Sequence, residues 1–177
     1  MAEVPSLTTE RLHLQAPGLD GYRDSAAMWG DEAVARYIGG RPSTAEETWA
    51  RLMRYVGHWE LLGFGYWTVR ERSSGRFVGE VGFADWRREL DPPFDGAPEA
   101  GWVLAPWAHG RGFASEAVAA MCAWGDKHFS GAETVCMIHP DNSASLRVAE
   151  RAGFIAYAQA EYHGSPTVLL RRTTGKP

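Results

Sequence analysis

Residues 109–117 read HGRGFASEA, with Gly110 and Gly112 flanking Arg111 just ahead of a helical pattern. Two chemistries fit that spacing. One is a tight strand-to-helix turn in which the glycines supply left-handed backbone. The other is an anion cradle. A helix N-terminus leaves four N–H groups unpaired and carries partial positive charge, glycines let backbone approach a phosphate, and Arg111 adds a fixed charge with several donors. The segment is not a P-loop, because no G-x-x-x-x-G-K-[ST] occurs. Gly110, Gly112 and Ser115 match the G-x-G-x-x-G spacing of a dinucleotide fingerprint, but the third glycine is absent. Residues 105–109 also separate the preceding apolar run from the glycines, whereas a Rossmann turn follows its strand directly. Glu80 is a second feature. VGEVGF (78–83) puts a carboxylate inside an apolar strand, where it either faces solvent or has its pKa raised by burial.

These residues need elements to hold them. RLHLQA (11–16) alternates as a first strand, ended by Pro17-Gly18, and a short helix follows at about 20–29. Ser43 and Glu46 form a capping-box pair, with Trp49, Leu52, Met53 and Val56 recurring at helical spacing behind them and Gly63 placed as a C-terminal cap. GYWTVRE and RFVGEVGF read as a hairpin, and the Pro- and Asp-rich stretch 85–98 reads as a loop. EAGWVL (99–104) is the strand that leads into the glycine turn, and a helix runs from about Ser115 to Phe129. TVCMI (134–138) suits a strand buried on both faces. Asp141 or Asn142 can cap a last long helix that stops at Gly153, and FIAYAQA and TVLLRR close the chain as a hairpin. The order is β-α-α-β-β-β-α-β-α-β-β, a mixed sheet with helices over it.

Bulk properties narrow the classes. The 177 residues suffice for one domain with a substantial core, and 45% hydrophobic with 23% charged residues is ordinary globular composition. A net charge of −4 without a basic tract removes the usual driver of nucleic-acid binding and mildly favours a cationic partner. Cys122 and Cys136 lack metal-ligand spacing and read as buried thiols in a reducing cytosol. The N-terminus has no signal-peptide pattern, and no apolar run is long enough to cross a membrane. A cytoplasmic protein is the expectation.

GWVL-x-PWAHGRGFASEA followed by HPDNSASLRVAERAGF resembles the GNAT superfamily of N-acetyltransferases, most of all its RimJ/RimL branch of ribosomal-protein N-terminal acetyltransferases. The resemblance runs from TERLHLQAP (9–17) to the strand at 167–171. It implies one α/β (α+β) acyltransferase domain over 1–177, with a mixed, mostly antiparallel sheet, splayed central parallel strands and helices on both faces. The family's acyl-CoA signature, R/Q-x-x-G-x-G/A, reads His109-Gly110-Arg111-Gly112-Phe113-Ala114 here, and Ser115 opens the helix behind it. His109 departs from the arginine or glutamine of the pattern, which affects a side-chain contact there and leaves the backbone cradle untouched. A second block, N-x-x-S ending in G-F, reads Asn142, Ser145, Gly153 and Phe154.

The resemblance implies that this loop holds the pyrophosphate of coenzyme A and that acetyl-CoA is the co-substrate, without a metal. The pantetheine arm would enter between the strands at 99–104 and 134–138, bonded by backbone near Trp102, Val103 and Leu104, with the Val103 N–H as oxyanion donor. Asn142 and Ser145 would face the sulfur. Many relatives carry a tyrosine seven residues after the asparagine; Ala149 stands there, so that acid is missing.

Acetylating an amine requires its neutral form. A lysine-type amine with a pKa near 10.4 is about 0.04% neutral at pH 7, and an α-amine near 7.8 about 14%. A base therefore matters more for the former. Glu99, opening the strand that would contact the thioester, is the first candidate base, acting through a bridging water; Glu80 is the second. A strand-edge surface carboxylate is the plain alternative for Glu99, and helix capping that for Ser145. Trp86 and Trp107 flank loops that could touch substrate, while Arg147 and Arg151 fit a solvated face with Glu150 as partner. The expectation is direct transfer to a small-molecule amine or a protein N-terminus, by a monomer or homodimer. A non-catalytic acyl-CoA-binding domain of the same fold is the alternative, and substrate choice would reside in 18–42, 85–98 and 158–166.

Overall fold

The computed structural model describes residues 3–173. The outermost residues of the single domain expected over 1–177 (1, 2 and 174–177) lie outside the described part. Eight strands form one sheet in the order β1-β2-β3-β4-β5-β6-β8-β7. They are β1 (Leu7–Thr8), β2 (Leu12–Gln15), β3 (Tyr66–Glu71), β4 (Phe77–Ala84), β5 (Glu99–Leu104), β6 (Thr134–Ile138), β7 (Ile155–Tyr162) and β8 (Ser165–Arg172). Neighbours run antiparallel except β5 and β6, which are parallel. The helices are α1 (Tyr22–Trp29), α2 (Glu32–Ala35), α3 (Ala45–Leu62), α4 (Phe113–His128) and α5 (Ser143–Arg151). The expected fold is observed, with β1 and the one-turn α2 as additions. Among the described residues, no helix is long and apolar enough to cross a membrane.

The period-two alternation of the central strands gives the sheet two unlike faces. On β4, Val81 and Phe83 point into the main core with Trp67, Phe113, Val118 and Met121. Gly125 of α4 leaves no room for a methyl there, since an added Cβ would lie 2.8 Å from the Phe83 ring. Glu80 points the other way, toward Ser25 and Trp29 of α1 and Tyr55 of α3. All eight residues of β4 are buried, so its alternation of faces cannot be seen as alternating exposure.

Two details of α3 differ from the sequence expectation. The capping box is Thr44 with Glu47, one residue beyond the expected Ser43 with Glu46. Both pairs satisfy the same four-residue pattern. The Ser43 N–H donates to the Trp29 carbonyl at 2.8 Å, which ties Ser43 to the end of α1 and leaves Thr44 to cap. The buried stripe is Thr48, Leu52, Tyr55 and Trp59, while Trp49 and Met53 are each 44% exposed. The stripe is rotated because α3 covers the polar face of the sheet, where Tyr55 bonds Glu80 and Trp59 bonds the Tyr66 carbonyl. Gly63 caps the helix in left-handed conformation at φ 73°, as expected.

Candidate active site

The parallel strands touch at one end. The register pairs Glu99 with Val135, and the Val135 N–H donates to the Pro98 carbonyl at 3.1 Å. Beyond that pair the strands part, opening a cleft of ≈ 680 Å³ whose walls include Trp102 and Val103 on β5 and Met137 and Ile138 on β6. Parted strands leave main-chain N–H and C=O groups without a ladder partner, and an extended ligand can take them up. Tyr66 wedges this region. A Cβ on Gly101 would lie 1.9 Å from the Tyr66 hydroxyl oxygen, so the glycine lets the phenol lie flat on β5. Tyr66 also stacks on Tyr55, ring centroids 4.5 Å apart. Burial raises the pKa of both phenols, so both are neutral donors at ordinary pH.

The two carboxylates of interest are both buried and differently partnered. Glu99 is 5% exposed, lines the cleft, and receives both arms of Arg88 at 2.6 and 2.9 Å. Burial pushes its carboxyl above the usual carboxylate range, an effect the Arg88 bonds and charge only partly offset. Glu99 is thus not the surface strand-edge carboxylate held open as the plain reading. Glu80, also 5% exposed, sits behind the cleft wall and accepts from the Ser25 hydroxyl (2.5 Å), Trp29 Nε1 (2.9 Å) and the Tyr55 hydroxyl (3.1 Å). It does not face solvent.

At the far end of β5 the glycine turn enters α4. Gly110 and Gly112 have φ of 71° and 77°, which explains both residues. Gly112 stands at the N-cap, and among the described residues no side chain caps that terminus. By contrast Thr44 caps α3, Asp31 caps α2 and Asn142 caps α5. The space a Cβ on Gly110 would take is open. Arg11 fastens the turn, donating to the Arg111 carbonyl at 2.9 Å and to Glu116 at 2.7 Å. Burial raises the Glu116 carboxyl, but the bonds from Thr9 and from the Arg11 N–H and guanidinium outweigh it and hold it below the ordinary value. The His109 ring meets the Leu104 carbonyl at 2.9 Å, so it braces the turn from inside.

A profile of the acetyltransferase (GNAT) domain matches residues 11–155. The chain belongs to the GNAT family of acetyltransferases. A solved structure from Bordetella pertussis assigned to the same family is 34% identical, with a TM-score of 0.84 over 96% of this chain and 99% of that one. A Bacillus licheniformis protein described as an uncharacterized N-acetyltransferase, p20, is 24% identical over 152 residues, 85% of this chain and 83% of its own length. RimL, the ribosomal L7/L12 alpha-N-protein acetyltransferase solved with coenzyme A, shares the fold at a TM-score of 0.77 and 16% identity, covering 96% and 98% of the two chains.

Within this GNAT domain the sequence-derived residues fall into two groups. Glu99, Trp102, Val103, Asn142 and Ser145 line the one cleft. His109, Gly110, Arg111, Gly112, Phe113, Ala114 and Ser115 form the turn and first residues of α4, outside that cleft, and Leu104 is buried at the strand end between them. The Asn142 side chain accepts from the Ser145 N–H at 3.1 Å, which fixes it as the α5 cap. Trp86 lines the cleft. Trp107 does not; it donates to the Phe77 carbonyl and packs under Arg76. Arg147 and Arg151 are exposed, as expected, but among the described residues neither is ion-paired with Glu150. Sequence reasoning missed Arg88, Arg51 and Tyr66. Their roles come from partners far along the chain, Glu99, Trp29 and Gly101, and no local pattern announces them.

Proposed function

We propose that this GNAT acetyltransferase moves an acetyl group from acetyl-CoA to a primary amine by direct attack, after the manner of the RimJ/RimL branch. The observation that carries the reading is the parting of β5 from β6, which puts Glu99, Val103 and Ser145 around one cleft. The residues present fit the coenzyme. The uncapped α4 terminus with its two left-handed glycines offers N–H donors to a pyrophosphate, and the parted strands offer main-chain groups to an extended arm. When bound, acetyl-CoA supplies the activated acyl group.

The chain's own groups do the rest. The Val103 N–H is the donor for the carbonyl oxygen, where charge develops. Glu99 draws the proton from the acceptor amine through water; burial makes it a stronger base than a surface glutamate, and Arg88 keeps its carboxylate oriented. Ser145 gives the sulfur a hydrogen bond. Glu80, behind the cleft wall, acts by positioning Trp29 and Tyr55, which line it. The acceptor is an amine-bearing small molecule or a peptide N-terminus, and the chain works as a monomer or homodimer.

A thermal-shift titration with acetyl-CoA, with NAD and ATP as controls, tests the reading. Ligand at a hundred times its Kd adds about 2.7 kcal/mol, a rise in Tm of roughly 5–11 °C for a domain of this size. A shift with acetyl-CoA alone is expected. No shift in folded protein would remove the coenzyme from the turn. A shift without acetylation of any amine would favour the non-catalytic binding domain.

A further inference from the structure

The chain as a whole carries a net charge of −4, yet its cleft is basic. Five arginines line it (Arg36, Arg41, Arg51, Arg54 and Arg88), against two glutamates, Glu47 and Glu99. Each glutamate is already taken: Glu47 pairs with Arg41, and Glu99 with Arg88. Arg36, Arg51 and Arg54 have no acidic partner within ion-pair distance among the described residues.

Arg51 is the most constrained of these. It projects from the middle of α3, and its guanidinium carbon lies 3.6 Å from the centroid of the Trp29 ring. That indole is itself tied down, since its Nε1 donates to Glu80. One guanidinium nitrogen, Nη1, is fully buried and bonds no acceptor. A buried cationic N–H without an acceptor is costly, and stacking has already removed the side chain's rotational freedom. A guanidinium held in that way at the cleft wall is preorganised to meet an oxyacid with the donors it turns to the cleft. The groups facing it are the neutral phenols of Tyr55, one turn further along α3, and of Tyr66 on β3, and, behind Trp29, the Glu80 carboxylate, which Ser25, Trp29 and Tyr55 occupy.

We propose that the acceptor amine carries an oxyanionic group, a carboxylate or phosphate, and that Arg51 binds it. This inference rests on the acetyltransferase reading above and narrows its acceptor class, against the cationic acceptor that net charge alone suggests. Arg36 and Arg54, on the same cleft, add to the field that draws such an acceptor in. The amine end is then left toward Glu99 and Val103, while the Arg88–Glu99 pair keeps the Glu99 carboxylate from competing for Arg51.

Four acceptors that share an ethylamine core test it: ethanolamine, β-alanine, phosphoethanolamine and ethylenediamine. The expected result is a kcat/KM at least about ten-fold higher for β-alanine or phosphoethanolamine than for the neutral and cationic members, with the difference in KM. Which of the two acids leads distinguishes carboxylate from phosphate. R51Q should cut that preference to within about three-fold, and R51K, which keeps the charge and loses the fork, should fall between. Preference for ethylenediamine or ethanolamine, or an equal loss on all four acceptors in R51Q, overturns the assignment. Melting curves with and without each compound, on the complex with coenzyme A, which has no acetyl group to give, read the anion site without turnover. Stabilisation of wild type by the two acids, weaker in R51K and absent in R51Q, supports the inference even if no acceptor is acetylated, whereas absence of any acetyl-CoA shift is the separate failure of the acetyltransferase reading. If R51Q does not fold, R51K carries the comparison.

Discussion

The two faces of the sheet are built on opposite physical principles. Under α4 the contacts are apolar and aromatic: Trp67 and Trp124 meet edge to face at 5.0 Å, and Phe83 packs edge-on against Phe129 at 5.1 Å. Under α1 and α3 the buried groups are Glu80, Glu99, Thr68 and Ser25 with the phenols of Tyr55 and Tyr66. The first face gains from removing apolar area from water and asks little of geometry. The second is stable only if each polar group finds its partner, and it is the face on which the cleft opens. Stability and chemistry are thus divided between the faces, so substitutions on the two sides should fail in different ways.

Glu99→Gln should give the largest effect. It removes the proposed base while keeping the shape and one acceptor for Arg88, so kcat/KM should fall by about 10²- to 10⁴-fold with Tm little changed. The pH profile adds a sharper readout. The base works deprotonated, so wild-type activity should fall as pH drops through the Glu99 pKa, which burial holds above the usual carboxylate range. The amine's own ionisation bends both profiles alike. The difference between wild type and variant therefore isolates Glu99, and superimposable profiles would end its assignment as base.

Phe83→Ala probes the other face. The ring is 1% exposed and meets Trp124 and Phe129, so its loss should cost about 3–5 kcal/mol in urea unfolding. Below the transition, kcat/KM for the folded fraction should stay within a few-fold of wild type. A selective loss of activity at unchanged stability would contradict the division between the faces.

The same division explains what could be read from the sequence. The apolar face announces itself through local pattern: the strand at 134–138 and the hairpin at 66–83 lie where alternation and turn residues put them. The glycine turn and the N-x-x-S block were legible because their form rests on backbone conformation and caps within a few residues. The polar face is not written locally. Glu80 finds Ser25 at a separation of 55 residues, and Glu99 finds Arg88 across an irregular loop. A lone glutamate in VGEVGF raises the question of burial but cannot name its partners. For α3, a hydrophobicity rule selects Trp49 and Met53 for the interior, while the sheet it covers needs Tyr55 and Thr48. The basic cleft escaped for the same reason, since its arginines come from the end of α2, the loop after it, α3 and the loop after β4, in a chain of net negative charge.

The smallest expected effect lies at the glycine turn, between the two regimes. Glu116 is 17% exposed in its side chain and Arg11 44%, so water screens their pair and its contribution should be about 1 kcal/mol or less. The sign follows from the direction of the shift. The folded carboxyl lies below its unfolded value, so its stabilisation is complete above an unfolded pKa of about 4.3 and fades as pH falls through the folded one. Glu116→Gln should therefore lower Tm at pH 7, and that deficit should shrink toward zero as the buffer is taken to pH 3. Phe83→Ala, which removes no ionisable group, should keep its deficit over the same range. Because Arg11 also holds the Arg111 carbonyl, the neutral variant should loosen the turn and weaken acetyl-CoA binding at pH 7. A Glu116→Gln deficit that stays constant with pH would mean that the carboxylate acts there by shape alone, and that the turn keeps its form without the charge.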